Sequence, residues 1–91
     1  MFLLIKTYTC CVNKEVGATI RELRKEKHLS QEKLADAIDS HQVYISEIEK
    51  GIKQPSLTII NNIAKAFDVS LTYFISRVEK KLEQSNIQEN D

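Results

Sequence analysis

Within the 91-residue chain the segment QVYISEIEK sets Gln42, Val43, Ser46, Glu47 and Lys50 at the spacing of one exposed helix face, with Ile45 and Ile48 opposite. That set is equipped to read the edges of nucleic-acid bases. An amide pairs in bidentate fashion with adenine, a branched methyl meets the thymine methyl, and a carboxylate accepts from the amino group of cytosine. A lysine on the same surface supplies charge toward phosphate without reading sequence. Such chemistry needs a short, rigid helix, and the rest of the chain must hold it.

The break at Asp39-Ser40-His41 separates this helix from a preceding one. Ser30 is placed to cap that preceding helix, with Glu32 in its first turn and Leu34, Ala35 and Ile38 on its inner face. Residues 42–50 then form the second, stopped by Gly51. Helices of about two turns are marginal alone, so the pair must pack together. Two helices joined by a turn of three or four residues make a helix-turn-helix, whose second member fits a major groove roughly 12 Å wide.

The supporting elements follow from the same periodicity. Val16, Ile20 and Leu23 mark an amphipathic helix from Lys14 to near His28. After the loop GIKQPS, Ser56 caps a fourth helix with Leu57, Ile60, Ile63, Ala64 and Phe67 on its apolar side. Val69 turns inward and Ser70 caps a fifth helix. There Leu71, Ile75, Val78 and Leu82 form an a/d-type seam, longer than a five-helix core requires, that is expected to meet a second copy. The fold class expected is all-α, with one domain over 14–83, an N-terminal arm over 1–13 (FLLIKTYT is rich in β-formers) and a polar, disordered tail over 84–91.

Composition narrows the chemistry. Forty-two per cent hydrophobic and 29% charged residues, with 2 Gly and 1 Pro, suit a compact helical protein. Lys plus Arg (13) balance Asp plus Glu (13), so any basic footprint has to be local. Adjacent Cys10 and Cys11 would close only a strained ring, which points to a reducing, cytoplasmic setting. The apolar run FLLI is too short for an export signal or a bilayer span, so no membrane partner is expected. No CxxC or HxxxH spacing joins Cys10, Cys11, His28 and His41 into a metal site. With neither a paired nucleophile and base nor a glycine-rich loop, the sequence implies no enzyme, no cofactor and no small-molecule ligand.

The segments LSQEKLA, YISEIEKG, QPSLTIINNIAKAF and DVSLTYF, in this order, are similar to the Cro/repressor-type helix-turn-helix proteins, often called the XRE family. The resemblance covers residues 17–75. It implies a five-helix, lambda-repressor-like fold with an extended C-terminal helix. It also implies a DNA-binding transcriptional regulator, a homodimer on a palindromic or pseudo-palindromic operator, autoregulatory in the manner of phage repressors or restriction-modification controllers. By the same resemblance Gln42, Val43 and Glu47 read bases, with Ser46 at the edge of that set and also placed toward the backbone. Gln31 touches phosphate and braces Gln42, while Tyr44, Lys53 and Gln54 meet the DNA backbone; Lys50 is a backbone candidate by its place on the exposed face. Arg24 and Glu49 form a structural ion pair. The chain departs from the family at the turn, where Asp39 stands for a usual glycine and His41 for a usual cap, leaving His41 a candidate phosphate contact. The competing expectation is a protein-interaction module or antitoxin-type partner with this fold and little DNA binding, which the neutral net charge favours.

Overall fold

Serines begin three of the helices for one physical reason: each Oγ accepts from a first-turn N–H that has no partner within the helix. Ser30 accepts from Lys33 at 3.1 Å, Ser56 from Ile59 at 3.2 Å and Ser70 from Tyr73 at 3.0 Å. The computed structural model describes the backbone of residues 2–90 and the side chains of residues 12–84. Its elements in chain order are α1 (Phe2–Glu26), α2 (Gln31–Ala37), α3 (Gln42–Glu49), α4 (Leu57–Ala66) and α5 (Leu71–Asn90).

The first four helices end alike. After each, one residue takes a left-handed backbone: His28 (φ 57), Asp39 (φ 56), Gly51 (φ 79) and Asp68 (φ 60). The next N–H then reaches back to a carbonyl of the last turn: Leu29 to Arg24, Ser40 to Ala35, Ile52 to Glu47 and Val69 to Ala64, at 2.8 to 3.0 Å. This is the Schellman closure, which satisfies carbonyls that the helix leaves open. Asp and His tolerate the left-handed region better than most non-glycine residues, so a glycine is dispensable at three of these ends.

Apolar faces converge on one core. Val16, Ile20 and Leu23 of α1 meet Leu34, Ala35 and Ile38 around α2, Ile45 and Ile48 of α3, Ile60, Ile63 and Ala64 of α4 with Phe67, and Phe74 and Val78 of α5. Each large side chain fully buried there contributes about 1.5–3 kcal/mol relative to exposure. Helix α1 packs on α3 and α5, α2 on α3 and α4, and α4 on α5. A second tie joins α1 to α5. Arg77 Nη2 lies 3.1 Å from Glu22 and 2.9 Å from Glu26, and Lys81 Nζ lies 2.6 Å from Glu22. The Lys81 hydrogen bond holds the Glu22 carboxyl below its ordinary range, and the Arg77 hydrogen bond does the same for Glu26.

The structure differs from the sequence reading in four places. Residues 2–13, expected as an arm, continue α1 without interruption, because a helix nucleated over the amphipathic stretch extends cheaply through residues that include no Gly or Pro. Likewise α5 runs to Asn90, across the segment expected as a disordered tail. Leu57 is 65% exposed despite its helical phase, since it stands at the first position of α4, beyond the reach of the core. Val78 is buried in the monomer and so is not available to a partner; Phe74, absent from the expected seam, is buried beside it.

Candidate nucleic-acid interface

Helix α3 is held by what it buries. Ile45 and Ile48 have no exposed surface, and this roots the helix so that its other side must face outward. Gln42, Val43 and Lys50 are exposed there, Val43 by 69%, while Ser46 and Glu47 are half-buried along the same face. Tyr44 packs partly against the core, its apolar body inward as an amphipathic ring requires. His41 precedes the helix in extended conformation (φ −120, ψ 149) and makes no side-chain cap bond. Its carbonyl accepts from Tyr44 and Ile45 at 3.1 and 3.3 Å, as the carbonyls of Ser30, Ser56 and Ser70 also accept from their first turns, so α3 starts in the same way but lacks the one side-chain hydrogen bond.

A chain of polar side chains runs behind this face. Arg24 donates from Nε to Glu49 Oε2 at 2.7 Å and from Nη2 to Glu49 Oε1 at 3.2 Å, in the two-pronged geometry that suits guanidinium and carboxylate. Both side chains are largely buried, 13% and 4% exposed. The third arm of Arg24, Nη1, donates to the Leu29 carbonyl at 2.9 Å and closes the α1–α2 connection. Gln31 Nε2 donates to Glu49 Oε1 at 3.0 Å, and Gln42 Nε2 donates to Gln31 Oε1 at a long 3.4 Å. The structure thus brings Gln31, at the start of α2, against Gln42, at the start of α3.

The loop after α3 carries the remaining candidates. Lys53 and Gln54 are exposed, and Lys53 N–H donates to the Glu47 carbonyl at 3.3 Å, which pins the loop beside the helix. Two residues here escaped the sequence reading. Ile52 occupies the Schellman position that is apolar and packed on the core at α1 and α4, as Leu29 and Val69; at α3 it stays 66% exposed. It lines one shallow depression together with Gln31, Gln42, Val43, Ser46 and Glu47. The sequence signal for it was its place immediately after Gly51. Gly17 is the other: only a hydrogen in place of a side chain lets α1 touch the end of α3.

The residues expected at a dimer seam divide. Leu71 and Leu82 are half-buried against the core, Val78 is inside it, and Ile75 is 40% exposed, lining a surface depression with Leu71, Thr72, Ser76 and Glu79. Cys10 and Cys11 lie outside the described side chains. Among the described residues no group of His, Cys, Asp and Glu is placed to hold a metal ion, and no helix is long and apolar enough to cross a membrane.

Residues 20–74 match the helix-turn-helix family HTH_3. The chain is similar to the ImmF control region 10 kDa protein of Bacillus phage phi105, 40% identical over 58 residues that span 64% of each chain. It is also similar to control protein C.BamHI of Bacillus amyloliquefaciens, 46% identical over 54 residues, 58% of this chain and 67% of that one. The chain therefore spans about two thirds of the length of these relatives. Among solved structures, the restriction-modification controller protein C.AhdI from Aeromonas hydrophila superposes with a TM-score of 0.64 at 34% identity, over 67% of this chain and 92% of that one.

Proposed function

The chain belongs to the helix-turn-helix family HTH_3, and on that premise we propose that it is a sequence-specific, double-stranded DNA-binding transcriptional regulator of cytoplasmic location. Its similarity to a phage control-region protein, to a control protein and to a restriction-modification controller protein supports a regulatory role. The observation that carries the reading is the division of α3: one side is fully buried at Ile45 and Ile48, and the other presents an amide, a branched methyl, a hydroxyl and a carboxylate in helical register. Gln42, Val43 and Glu47, with Ser46, contact bases in the major groove; Gln31, Tyr44, Lys50, Lys53, Gln54 and His41 contact the sugar-phosphate backbone. Ile52 adds apolar surface beside Val43.

A homodimer places two copies of α3 about one DNA turn apart on a palindromic or pseudo-palindromic operator. Ile75, with Leu71 and Leu82 at its flanks, is the part of the α5 surface that supports such a contact. With regulator concentration setting both dimerisation and occupancy, autoregulation needs no bound effector.

A second reading, a protein-interaction module or antitoxin-type partner, is favoured by the exposure of Val43 and Ile52 and by the balanced net charge. The polar company of Gln42, Ser46, Glu47, Lys50 and Lys53 supports DNA instead. Selection from randomised duplex DNA separates the two. The DNA reading expects a symmetric preferred site; Gln42→Ala then loses discrimination at one position per half-site, whereas Lys53→Ala weakens all sequences alike. Recovery of no preferred sequence sinks it.

A further inference from the structure

We infer that Glu49 is a positioning residue for base recognition: acting through Gln31, it fixes which way the Gln42 amide faces and so selects adenine over guanine at that position. The inference rests on the assignment of Gln42 to a base edge. It follows from the polarity of the hydrogen bonds behind α3, each of which can run in only one direction.

A carboxylate paired with arginine accepts and cannot donate. Glu49 receives both Arg24 and Gln31, so Gln31 must turn its Nε2 toward Glu49 at 3.0 Å. That leaves Gln31 Oε1 facing the other way, and only a donor can meet it. Gln42 complies with its own Nε2 at 3.4 Å. The Gln42 amide thereby keeps one further N–H and the Oε1 acceptor for a ligand.

A donor and an acceptor side by side match adenine, which offers N7 as acceptor and N6–H as donor in the major groove. Guanine offers two acceptors, N7 and O6, and would face Gln42 Oε1 with one of them. To suit guanine the Gln42 amide must turn over, which sets its oxygen against Gln31 Oε1. If Gln31 turns over as well, its oxygen meets the Glu49 carboxylate. Each turned-over arrangement either sets two acceptors face to face or gives up the Gln42–Gln31 hydrogen bond, while Glu49, 4% exposed and paired with Arg24, holds the other end of the chain.

The test uses the full chain and its selected operator, with each base pair exchanged in turn and folding verified by thermal denaturation. Wild type prefers adenine over guanine at the position identified by Gln42→Ala by about tenfold, within the range of a bidentate amide pair. Gln31→Met, which leaves the Arg24–Glu49 ion pair in place, reduces that ratio to about twofold and leaves the ratios at other positions unchanged. Glu49→Gln, whose amide can either donate or accept, gives the same selective loss. Neither substitution changes any ratio in a Gln42→Ala background. A purely structural Glu49 and Gln31 would lower affinity for all sequences alike and keep the adenine preference intact, which overturns the inference while leaving DNA recognition standing. A wild type with no preferred sequence overturns both.

Discussion

Gly17 lies against Ile48 so closely that a methyl group at position 17 would stand 2.3 Å from the Ile48 carbonyl oxygen and 2.7 Å from that of Glu49. Both are backbone atoms at the end of α3, so relief requires α1 and α3 to separate. Helix propensity alone predicts that Gly17→Ala stabilises α1 by about 1 kcal/mol. The close approach predicts the opposite, a loss of about 1–3 kcal/mol or more from overpacking, read in urea unfolding midpoints. A gain in stability would show that α1 and α3 do not meet in this way.

The buried pair Arg24–Glu49 has an asymmetric energetic signature. Arg24→Met leaves the Glu49 carboxylate, 4% exposed, without its cation, and is expected to cost about 3 kcal/mol or more. Arg24→Met with Glu49→Leu removes both charges and recovers most of that loss, because a paired charge in the interior contributes little net stability over apolar groups of similar size. Additive losses in chemical denaturation would contradict the coupling.

Acid acts on the tie between α1 and α5. Hydrogen bonds from Lys81 and Arg77 hold Glu22 and Glu26 below the ordinary glutamate value of 4.5 in the folded protein. The unfolded chain therefore takes up protons first as pH falls, and the stabilisation present above about 4.5 is lost on descending through the depressed folded-state values. The double variant Glu22→Gln, Glu26→Gln is expected to melt below wild type at neutral pH and to converge with it in acid. Both groups are partly exposed, so the difference is small and shrinks with salt. A gap that widens in acid would contradict the sign.

Most of what holds α2 to α4 could be read from residue types, because the signals there are local. Ser30 and Ser56 cap, Asp39 takes the left-handed turn, and Ile45 and Ile48 bury on a 3.6-residue period. The failures concern relations between distant parts of the chain. Periodicity places Leu57 on an apolar arc but does not say where the core ends. On α5 the spacing of Leu71, Ile75, Val78 and Leu82 satisfies a seam, yet Phe74 rotates the buried stripe so that Val78 goes inward and Ile75 stays out. Glu22, Arg77 and Lys81 carry no signal of their pairing in local spacing and become partners only where α1 and α5 lie side by side. On the outer face of α3, residue types and spacing anticipated the exposure of Gln42 and Val43, while Ile52 emerged only when the Schellman closure had been traced.

The division of α5 separates two substitutions that the seam alone would equate. Ile75→Asp, at a position 40% exposed, is expected to leave the thermal midpoint near that of wild type while giving monomers in sedimentation and weak operator binding. Val78→Asp puts a charge where 4% of the surface is exposed and is expected to unfold the domain. A dimer that survives Ile75→Asp would move the interface elsewhere.

The central claim, that the outward face of α3 reads DNA, is tested most directly by retardation of the DNA upstream of the protein's own gene at increasing salt. With Lys50 and Lys53 of each protomer neutralising about four phosphates per dimer, affinity should fall about a hundredfold between roughly 50 and 200 mM salt. Lys53→Ala should flatten that slope by about one unit for each phosphate it no longer neutralises. No retarded complex at low salt, or an affinity indifferent to salt and to Lys53, would contradict it.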